Sequence, residues 1–357
     1  MMFANQYYRS LQSGDLIPDP TVSLFGSLGS TSFKYDGGTL GNNGKIYCAP
    51  HNALQVLKID PLTDTLSLIG TSYSTGLKWS GGVTAPSNNI YFGAGVTAQI
   101  LKLDPSTDTT SLIGTSYATN IVKWEGGVLA DNGNIYFCPR QANQILKLVP
   151  STDTTSLVGT SYSGTDKWWG GVLAPNGFIY FVPCNGANQF LKLDPSTDTT
   201  SLVGTSYAGS YKWFGCILAP NGKIYGIPFN NNKFLELDPL TDTTSLVGAT
   251  LPTLDYYGAC LGPNGFIYCT PRNPSSILIF DPVSYTHKYY STGVPSGSSK
   301  HLTGILAPNG SIYCPPENRA DVMKISDIGS ITADMHNIPS PISGLSASVY
   351  NRHQNKF

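Results

Sequence analysis

The sequence predicts an all-β, seven-bladed β-propeller of four-stranded antiparallel blades. Three observations predict it. The chain repeats with a period of 43 to 45 residues, seven copies of the unit are present, and each copy has four short strand-like runs separated by turn residues. No helical periodicity competes with these runs. Because one such sheet cannot bury its own faces, the seven copies are expected to close into a single ring.

Each copy of the unit follows the same order of strands and turns. The first two strands flank a Pro-Asn-Gly turn in WWGGVLAPNGFIYF (168–181), where glycine supplies the positive φ of a tight hairpin. FLKLD (190–194) alternates with period two, and TTSLV (199–203) is β-branched and apolar. The turn between them contains proline, which presets φ, and aspartates that accept local backbone N–H groups. The openings of the seven units start at residues 35, 79, 124, 168, 213, 256 and 301.

The ends of the chain indicate how the ring closes. TVSLFG (21–26) matches the fourth strand of the other units but precedes the first complete unit, so the ring is predicted to be closed by an N-terminal strand. The alternative is that GSITADM (329–335) closes the seventh blade unaided. The predicted organisation is an N-terminal arm (1–18), the propeller (19–335) and a C-terminal arm (336–357). Both arms are candidates for docking on neighbouring subunits.

Framework motifs carry a resemblance to known propellers. NGKIYCAP (43–50 within its hairpin) followed by VLKIDPLTDT (56–65) resembles the YVTN-type repeat, and the pattern is similar to virginiamycin B lyase and the wider NHL and SMP-30-like propellers. The resemblance covers about residues 21–330 and implies the propeller fold. The lyase's catalytic histidine and glutamate set finds no matching motif around the histidines of this chain, which are His51, His287, His301, His336 and His353.

Composition excludes several classes of partner. Charged residues make up 12% of the chain and the net charge is −1, so no basic surface for nucleic acid is expected. The sequence contains neither an apolar run long enough to span a bilayer nor a secretory signal, which predicts a cytoplasmic protein or part of a virion or other assembled particle. The seven cysteines form no CxxC motif and are interpreted as buried thiols.

One face of the predicted ring collects the loops that vary. Four consecutive units place a lysine before a tryptophan at the entrance to the first strand. These pairs are interpreted either as a ring of ammonium groups and indole faces at the mouth of the channel, or as packing between blades with the lysine heads in solvent. Amide-rich loops beside them would suit sugar hydroxyls. The candidate binding residues are Lys78, Trp79, Lys123, Trp124, Lys167, Trp168, Trp169, Lys212, Trp213, Arg140, Asn143, Asn188, Arg272 and His301.

Trp169 stands apart from the other tryptophans in this set. Its position is filled by a different residue in most other units, so the repeat does not require it. The double glycines, by contrast, are explained by crowding where seven inner strands converge. The paired aspartates of the strand 3–4 turns, such as Asp194 and Asp198, are expected to cap turns rather than to bind calcium, which needs more oxygen ligands in one place. No metal or cofactor is predicted.

Catalysis would need residues that break the repeat. The candidates near the variable face are His51, Glu125, Arg140, Arg272, His301, Glu317 and Arg319. No spacing ties an acid, a base and a nucleophile together among them, so a non-enzymatic binding or assembly module is the leading hypothesis. It would present the variable face to a glycan or a protein partner on a viral or cell-surface assembly. The alternatives are a propeller lyase or hydrolase with a metal-assisted site, and a structural subunit docked through its arms.

Overall fold

The chain forms the predicted ring of seven sheets. The computed structural model describes residues 17–74, 76–119, 121–252 and 255–329. Across those residues there are 28 strands and no helix, and the strands form seven four-stranded antiparallel sheets. The strands are β1 (Thr21–Phe25), β2 (Tyr35–Leu40), β3 (Ile46–Pro50), β4 (Val56–Asp60), β5 (Thr65–Ile69), β6 (Trp79–Thr84), β7 (Ile90–Ala94), β8 (Ile100–Asp104), β9 (Thr109–Ile113), β10 (Trp124–Leu129), β11 (Ile135–Pro139), β12 (Ile145–Val149), β13 (Thr154–Val158), β14 (Trp168–Leu173), β15 (Ile179–Pro183), β16 (Phe190–Asp194), β17 (Thr199–Val203), β18 (Trp213–Leu218), β19 (Ile224–Pro228), β20 (Phe234–Asp238), β21 (Thr243–Val247), β22 (Tyr256–Leu261), β23 (Ile267–Pro271), β24 (Ser276–Phe280), β25 (His287–Ser291), β26 (Ile305–Leu306), β27 (Ile312–Cys314) and β28 (Val322–Ser326). The predicted seven-bladed propeller is confirmed.

The N-terminal strand closes the ring. The seventh blade has the order β1-β28-β27-β26, and β1 pairs antiparallel with β28 from Thr21 opposite Ser326 to Phe25 opposite Val322. This N-terminal strand therefore supplies the outer strand of the seventh blade, as predicted. The arms, and the alternative closing segment after Gly329, lie outside the described residues except at residues 17, 18 and 329. Their boundaries and their docking role stay predictions.

The two sets of variable loops meet on one face, which we call the variable face. The backbone N–H of Lys34, in the loop before the first blade, donates to the carbonyl of Glu317 in the seventh blade at 2.9 Å. The N–H of His51, which follows β3, donates to the carbonyl of Lys34 at 2.9 Å. Each loop between blades is thus tied to the loops between strands two and three on both sides. Residues from neighbouring blades come together on this face.

Crowding near the axis explains the double glycines. Gly81 has a φ of +63°, a conformation that other residues rarely adopt, and a Cβ there would lie 2.6 Å from the Cα of Gly126 in the next blade. The pairing of β10 with β11 shifts register between Glu125 and Gly127, so the glycine pair also forms a β-bulge.

The two aspartates of each strand 3–4 turn have different roles. The first caps the turn, since Asp104 Oδ1 accepts from the N–H of Ser106 at 2.9 Å. The second reaches the neighbouring blade: Asp153 accepts from the Tyr91 hydroxyl at 3.0 Å and from Lys102 Nζ at 2.6 Å. The same Tyr–Asp–Lys contact recurs at Tyr136, Asp198 and Lys147, at Tyr180, Asp242 and Lys192, and at Tyr313, Asp64 and Lys324. The last of these joins the seventh blade to the first.

The junction between the fifth and sixth blades has different residues at the aspartate and lysine positions of this contact. In the sixth blade Tyr285 stands where the turns of the first five blades have their second aspartate. In the fifth blade Glu236 stands where the third strands of the first four blades and of the seventh have lysine. Glu236 Oε2 accepts from the hydroxyls of Tyr225 and Tyr285 at 2.9 and 2.7 Å. Lys223 donates to Glu236 Oε1 at 2.6 Å. The Tyr225 hydroxyl therefore still donates to a carboxylate, but this carboxylate belongs to the same blade as the tyrosine and not to the next blade.

This exchange predicts compensation between two substitutions. Tyr285→Asp alone places a second carboxylate against Glu236, and we expect the free energy of unfolding to fall by about 1–3 kcal/mol. Adding Glu236→Lys recreates the contact of the other blades and should restore most of the loss. Chemical denaturation of the two single variants and the double variant measures this coupling. Additive losses would contradict it.

The remaining framework residues behave as small core groups. All seven cysteines are free and buried, and burial raises the pKa of thiols such as Cys48 and Cys269 above their usual range.

Within the described ranges, no helix has the length and apolar character needed to cross a membrane.

Candidate functional site

The four recurrent tryptophans pack between blades. Trp79, Trp124, Trp168 and Trp213 are at most 2% exposed. The indole Nε1–H of Trp168 donates to the carbonyl of Gln189 at 3.0 Å, and Tyr162 packs against the ring edge-on at 5.3 Å. The other three make the equivalent contacts. The indole faces are therefore core surface, as in the packing interpretation, and they do not line the channel mouth.

The lysines before these tryptophans are also buried, which neither sequence interpretation anticipated. Lys78, Lys123, Lys167 and Lys212 are at most 4% exposed. Lys123 Nζ donates to the carbonyls of Gly95 and Thr97 in the preceding blade at 2.8 and 2.7 Å, and Lys167 Nζ donates to Ala142 O at 2.9 Å. Desolvation lowers the pKa of Lys123 to about 8. These ammonium groups hold neighbouring blades together rather than facing solvent.

His301 belongs to the same structural set. It replaces the recurrent tryptophan in the seventh blade and is fully buried. Its Nε2 lies 3.2 Å from the carbonyl of Asp321, the position that accepts the indole N–H in the other blades. Burial lowers the pKa of His301 to about 4. Arg319, also a sequence candidate, makes two contacts of 2.6 and 2.7 Å with Asp321 in its own loop.

The two asparagines of the predicted site lie away from the channel. Asn143 and Asn188 are exposed in the loops between strands two and three. Their carbonyls accept the N–H groups of Tyr162 and Tyr207, each at 2.9 Å. Other amides of this face bind backbone, as Asn52 Nδ2 does at 3.0 Å from Ser32 O. The backbone carbonyls of Asn143 and Asn188 and the side-chain amide of Asn52 therefore support the loops.

A cavity opens on the variable face, at the axis of the ring. Its volume is about 410 Å³, and residues from all seven blades line it. Most of the lining comes from two positions of the repeat: the residue after the recurrent aromatic residue, and the residue after the second strand. The first position holds Asp36, Ser80, Glu125, Trp169, Phe214, Tyr257 and Leu302, and the second holds His51, Gly95, Arg140, Cys184, Phe229, Arg272 and Glu317. We call this feature the axial cavity.

Aromatic side chains form one side of the axial cavity. Trp169 contacts Phe214 edge-on at 4.5 Å between ring centroids, and Phe214 stacks on Tyr257 at 4.7 Å. Phe229 packs against Phe214 at 4.3 Å. Trp169 and Phe214 are each 4% exposed. These rings give the cavity an apolar surface, which we call its floor.

Arg140 lies over this floor and donates hydrogen bonds to two carboxylates. Its guanidinium carbon is 3.8 Å from the centre of the Trp169 ring. Its Nε donates to Asp166 Oδ1 at 2.6 Å and its NH1 donates to Glu125 Oε2 at 3.1 Å. Asp166 also accepts from the Tyr211 hydroxyl at 3.3 Å. Arg140 therefore links the third, fourth and fifth blades at the cavity.

Arg272 and Glu317 are placed differently from Arg140. Arg272 Nε lies 3.8 Å from Glu317 Oε2, and both atoms are buried without a hydrogen-bond partner. The Glu317 side chain is 5% exposed, and the second acidic neighbour of Arg272, Asp255, is 3.9 Å from NH1. Both side chains line the cavity, and a donor on one and an acceptor on the other lack hydrogen-bond partners.

Asp36 and Glu125 form a buried carboxyl pair. They come from the first and third blades and share a hydrogen bond, and the small Ser80 of the second blade stands between them in the repeat. Burial raises the pKa of both groups; the charge of Asp36 raises the pKa of Glu125 further, whereas the hydrogen bond from Glu125 favours the ionised form of Asp36. His51 Nδ1 is 3.7 Å from Asp36 Oδ2, and burial lowers the pKa of this histidine. One proton held between two carboxyl groups is the expected state near neutral pH.

The sequence identified part of this cavity. Of the predicted binding residues, Trp169, Arg140 and Arg272 line it, and of the catalytic candidates His51 and Glu317 line it. Asp36, Phe214, Phe229 and Tyr257 were not selected. The signal that could have found them is the variation itself, because the two lining positions differ between nearly all blades while the framework around them repeats.

A metal-assisted site receives no support from the side chains. Among the described residues, no group of three or more histidine, cysteine, aspartate or glutamate side chains is placed to hold a metal ion. The acidic groups of the cavity are matched instead to Arg140, to Arg272 and to each other.

Similarity to known proteins extends to the fold. No protein-family model matches the chain, and no curated protein matches it significantly in sequence. Virginiamycin B lyase from Staphylococcus aureus superposes with a TM-score of 0.72 at 12% identity, covering 86% of this chain and 99% of the lyase. A streptogramin B lyase superposes with a TM-score of 0.69 at 14% identity, covering 88% of this chain and 99% of the other. The extracellular domain of a putative hybrid two-component system from B. thetaiotaomicron gives 0.62 at 13% identity, covering 87% of this chain and 42% of the other. The resemblance predicted from the framework motifs is thus confirmed at the level of the fold.

Proposed function

We propose that this propeller is a non-enzymatic recognition module that binds the neutral terminal sugar of a glycan in the axial cavity. The observation that carries the proposal is the open pair of Arg272 Nε and Glu317 Oε2 above an aromatic floor. A low-charge module of this kind suits a component of a virion or of a cell-surface assembly. Docking of its arms on neighbouring subunits is a separate proposal.

The open pair consists of one donor and one acceptor of opposite charge, and it therefore favours a neutral group on the ligand. A hydroxyl can accept from Arg272 Nε and donate to Glu317 Oε2 at the same time. A ligand carboxylate would satisfy the arginine but meet the glutamate with like charge, and a ligand ammonium would do the reverse. Sugars carry hydroxyls next to apolar C–H faces, so the same ring can bond the pair and pack on the floor.

The floor supplies the apolar half of the site. Tyr257 lies within 5.3 Å of the Arg272 guanidinium carbon and stacks on Phe214, so the open pair and the rings are adjacent. Aromatic rings in a water-excluding pocket contribute most of the affinity in such sites, while a few polar groups fix orientation. A volume of about 410 Å³ is small for a ligand pocket and suits the end of a chain rather than its middle.

The carboxyl pair is the observation that favours an enzyme as the second candidate. Two neighbouring carboxyl groups with separated proton affinities can act as acid and base, and Asp36 lines the cavity. Glu125, however, is bound by Arg140, so the pair is engaged in structure. Incubation of the protein with a bound glycan, followed by mass analysis of the glycan, distinguishes the two candidates: release of a cleaved product would favour the enzyme.

The test of sugar binding removes the open pair as a unit. We expect the double variant Arg272→Met with Glu317→Leu to lose about 100-fold in affinity, because two hydrogen bonds to charged groups are removed. Replacing both partners by apolar side chains avoids leaving one buried charge alone. Titration calorimetry with free glucose, galactose, mannose and N-acetylglucosamine, and with glucuronic acid and glucosamine as charged probes, measures it.

A matched control uses another ion pair of the variable face. Arg319→Met with Asp321→Leu removes the Arg319–Asp321 contact, which does not line the cavity. It should leave sugar affinity unchanged. Binding that survives loss of the open pair, or a preference for the charged sugars, would contradict the proposal.

A further inference from the structure

Three exposed apolar side chains surround the mouth of the axial cavity. Phe33, Leu77 and Tyr211 line the opening and are 39%, 37% and 37% exposed. All three occupy the same position of the repeat, immediately before the recurrent lysine of the loops between blades. They come from the first, second and fifth blades. We call these three residues the rim.

Two rim residues are held in an unfavourable backbone conformation. Phe33 and Tyr211 have φ values of +54° and +49°, which bulky side chains rarely adopt and which cost about 1–3 kcal/mol each. Hydrogen bonds fix the loop: the N–H of Phe33 donates to Asn318 Oδ1 at 2.8 Å, and its carbonyl accepts from the N–H of Asn52 at 2.8 Å. The carbonyl of Tyr211 accepts from the N–H of Asn230 at 3.0 Å. The aromatic groups are therefore presented at the mouth by a fixed backbone.

We propose that the rim binds the polypeptide that carries the glycan, so that the protein recognises a glycoprotein and not a free sugar. This inference rests on the proposed function. The cavity accepts the end of the glycan, and the carrier attached to that sugar has to pass between the rim residues. Aromatic side chains are enriched in the cores of protein-binding surfaces, and fixing them in place beforehand lowers the entropic cost of binding.

The charge around the rim favours a polypeptide over a lipid surface as the carrier. Binding to anionic membranes requires exposed lysine or arginine beside the apolar groups. The lysines next to the rim residues in the chain are Lys34, Lys78 and Lys212, which are 2%, 4% and 2% exposed. Their ammonium groups donate to backbone carbonyls. The lysines next to the rim are therefore not free to bind lipid headgroups, and the two arginines of the cavity, Arg140 and Arg272, lie beside acidic groups.

The test compares one sugar in two forms. The probes are free glucose, galactose, mannose and N-acetylglucosamine, and the same sugars O-linked to threonine in an uncharged peptide with leucine and phenylalanine on both sides. We expect the wild-type protein to bind the glycopeptide about tenfold more tightly than the free sugar, which corresponds to partial burial of two or three apolar side chains. The double variant Phe33→Asn with Leu77→Asn should lose that advantage and keep its affinity for the free sugar. Asparagine tolerates positive φ, so the loop at residue 33 is not strained further.

The control variant is Leu54→Asn. Leu54 is 49% exposed in the loop between strands two and three of the first blade but does not line the cavity. It should retain the preference for the glycopeptide. Equal affinity of the wild type for free and peptide-linked sugar, or equal loss of both in the rim variant, would overturn the rim proposal alone. If no sugar binds in either form, both the proposed function and the rim proposal are wrong. Tight binding to anionic lipid vesicles would indicate a membrane carrier and also overturn it.

Discussion

Replacing Trp168 with alanine is expected to lower the free energy of unfolding by about 3–5 kcal/mol. The side chain is 2% exposed and packs in a cluster with Phe181 and Leu191 of its own blade and Val128 of the preceding one. The substitution removes this contact across the blade junction and leaves a cavity that the surrounding sheets cannot fill. The carbonyl of Gln189 also loses the indole N–H. Chemical denaturation followed by fluorescence or circular dichroism measures the loss.

Trp168→Phe separates packing from hydrogen bonding at this position. Phenylalanine keeps most of the apolar contact but cannot donate to Gln189, so a loss of about 1–2 kcal/mol is expected. The folded fraction of the alanine variant should bind sugar with the affinity of the wild type, because Trp168 does not line the cavity. A loss below about 1 kcal/mol in Trp168→Ala, together with loss of binding by folded protein, would show that the tryptophan acts in recognition instead.

The repeat made the fold predictable from sequence. Every unit has the Ile-Tyr pair, six of the seven have Asn-Gly before it and five have the Asp-Pro turn after it, so a strand assigned in one copy is supported by the others. The match of TVSLFG (21–26) to the fourth strands identified the closing strand for the same reason. Local pattern and global topology agree throughout these positions.

The site was harder to predict because its contacts depend on ring closure. Asp36 and Glu125 are 89 positions apart and meet only when the first and third blades converge on the axis, so no spacing rule connects them. Lysine before tryptophan suggested exposed ammonium groups, since lysine is rarely buried. The direction of its side chain toward carbonyls of the preceding blade is a property of the loop geometry. His301 differs in residue type from the recurrent tryptophan, but its ring nitrogen lies beside the carbonyl position that the tryptophan N–H bonds in other blades.

The carboxyl pair predicts that stability falls as pH rises. Burial raises the pKa of Glu125 to about 8 and that of Asp36 to about 6, above the values expected in the unfolded chain. The folded protein therefore holds protons that the unfolded chain releases between about pH 4 and pH 8. The free energy of unfolding contributed by these groups is fully present below this window and is lost as pH rises through it. The groups that face the pair are Arg140, Arg272, His51, Tyr257 and Glu317.

Glu125→Gln removes most of this pH dependence. An amide cannot ionise, so the variant should be about 2–4 kcal/mol more stable than the wild type at pH 8.5 and close to it at pH 5. Arg140 keeps Asp166 as its charged partner, which limits the loss from removing Glu125. Glu317, whose pKa burial raises to about 7, should leave a smaller residual slope. Denaturation at half-unit steps from pH 5 to pH 9 measures both curves.

The partner substitution makes the prediction specific to the pair. Asp36→Asn should flatten the same part of the curve, and the double variant should gain little over either single one, because one shared proton accounts for both effects. A wild-type curve that is level from pH 5 to pH 9 would contradict the buried pair. Single effects that simply add would show that Asp36 and Glu125 titrate independently, and a shared proton would then not link the first and third blades.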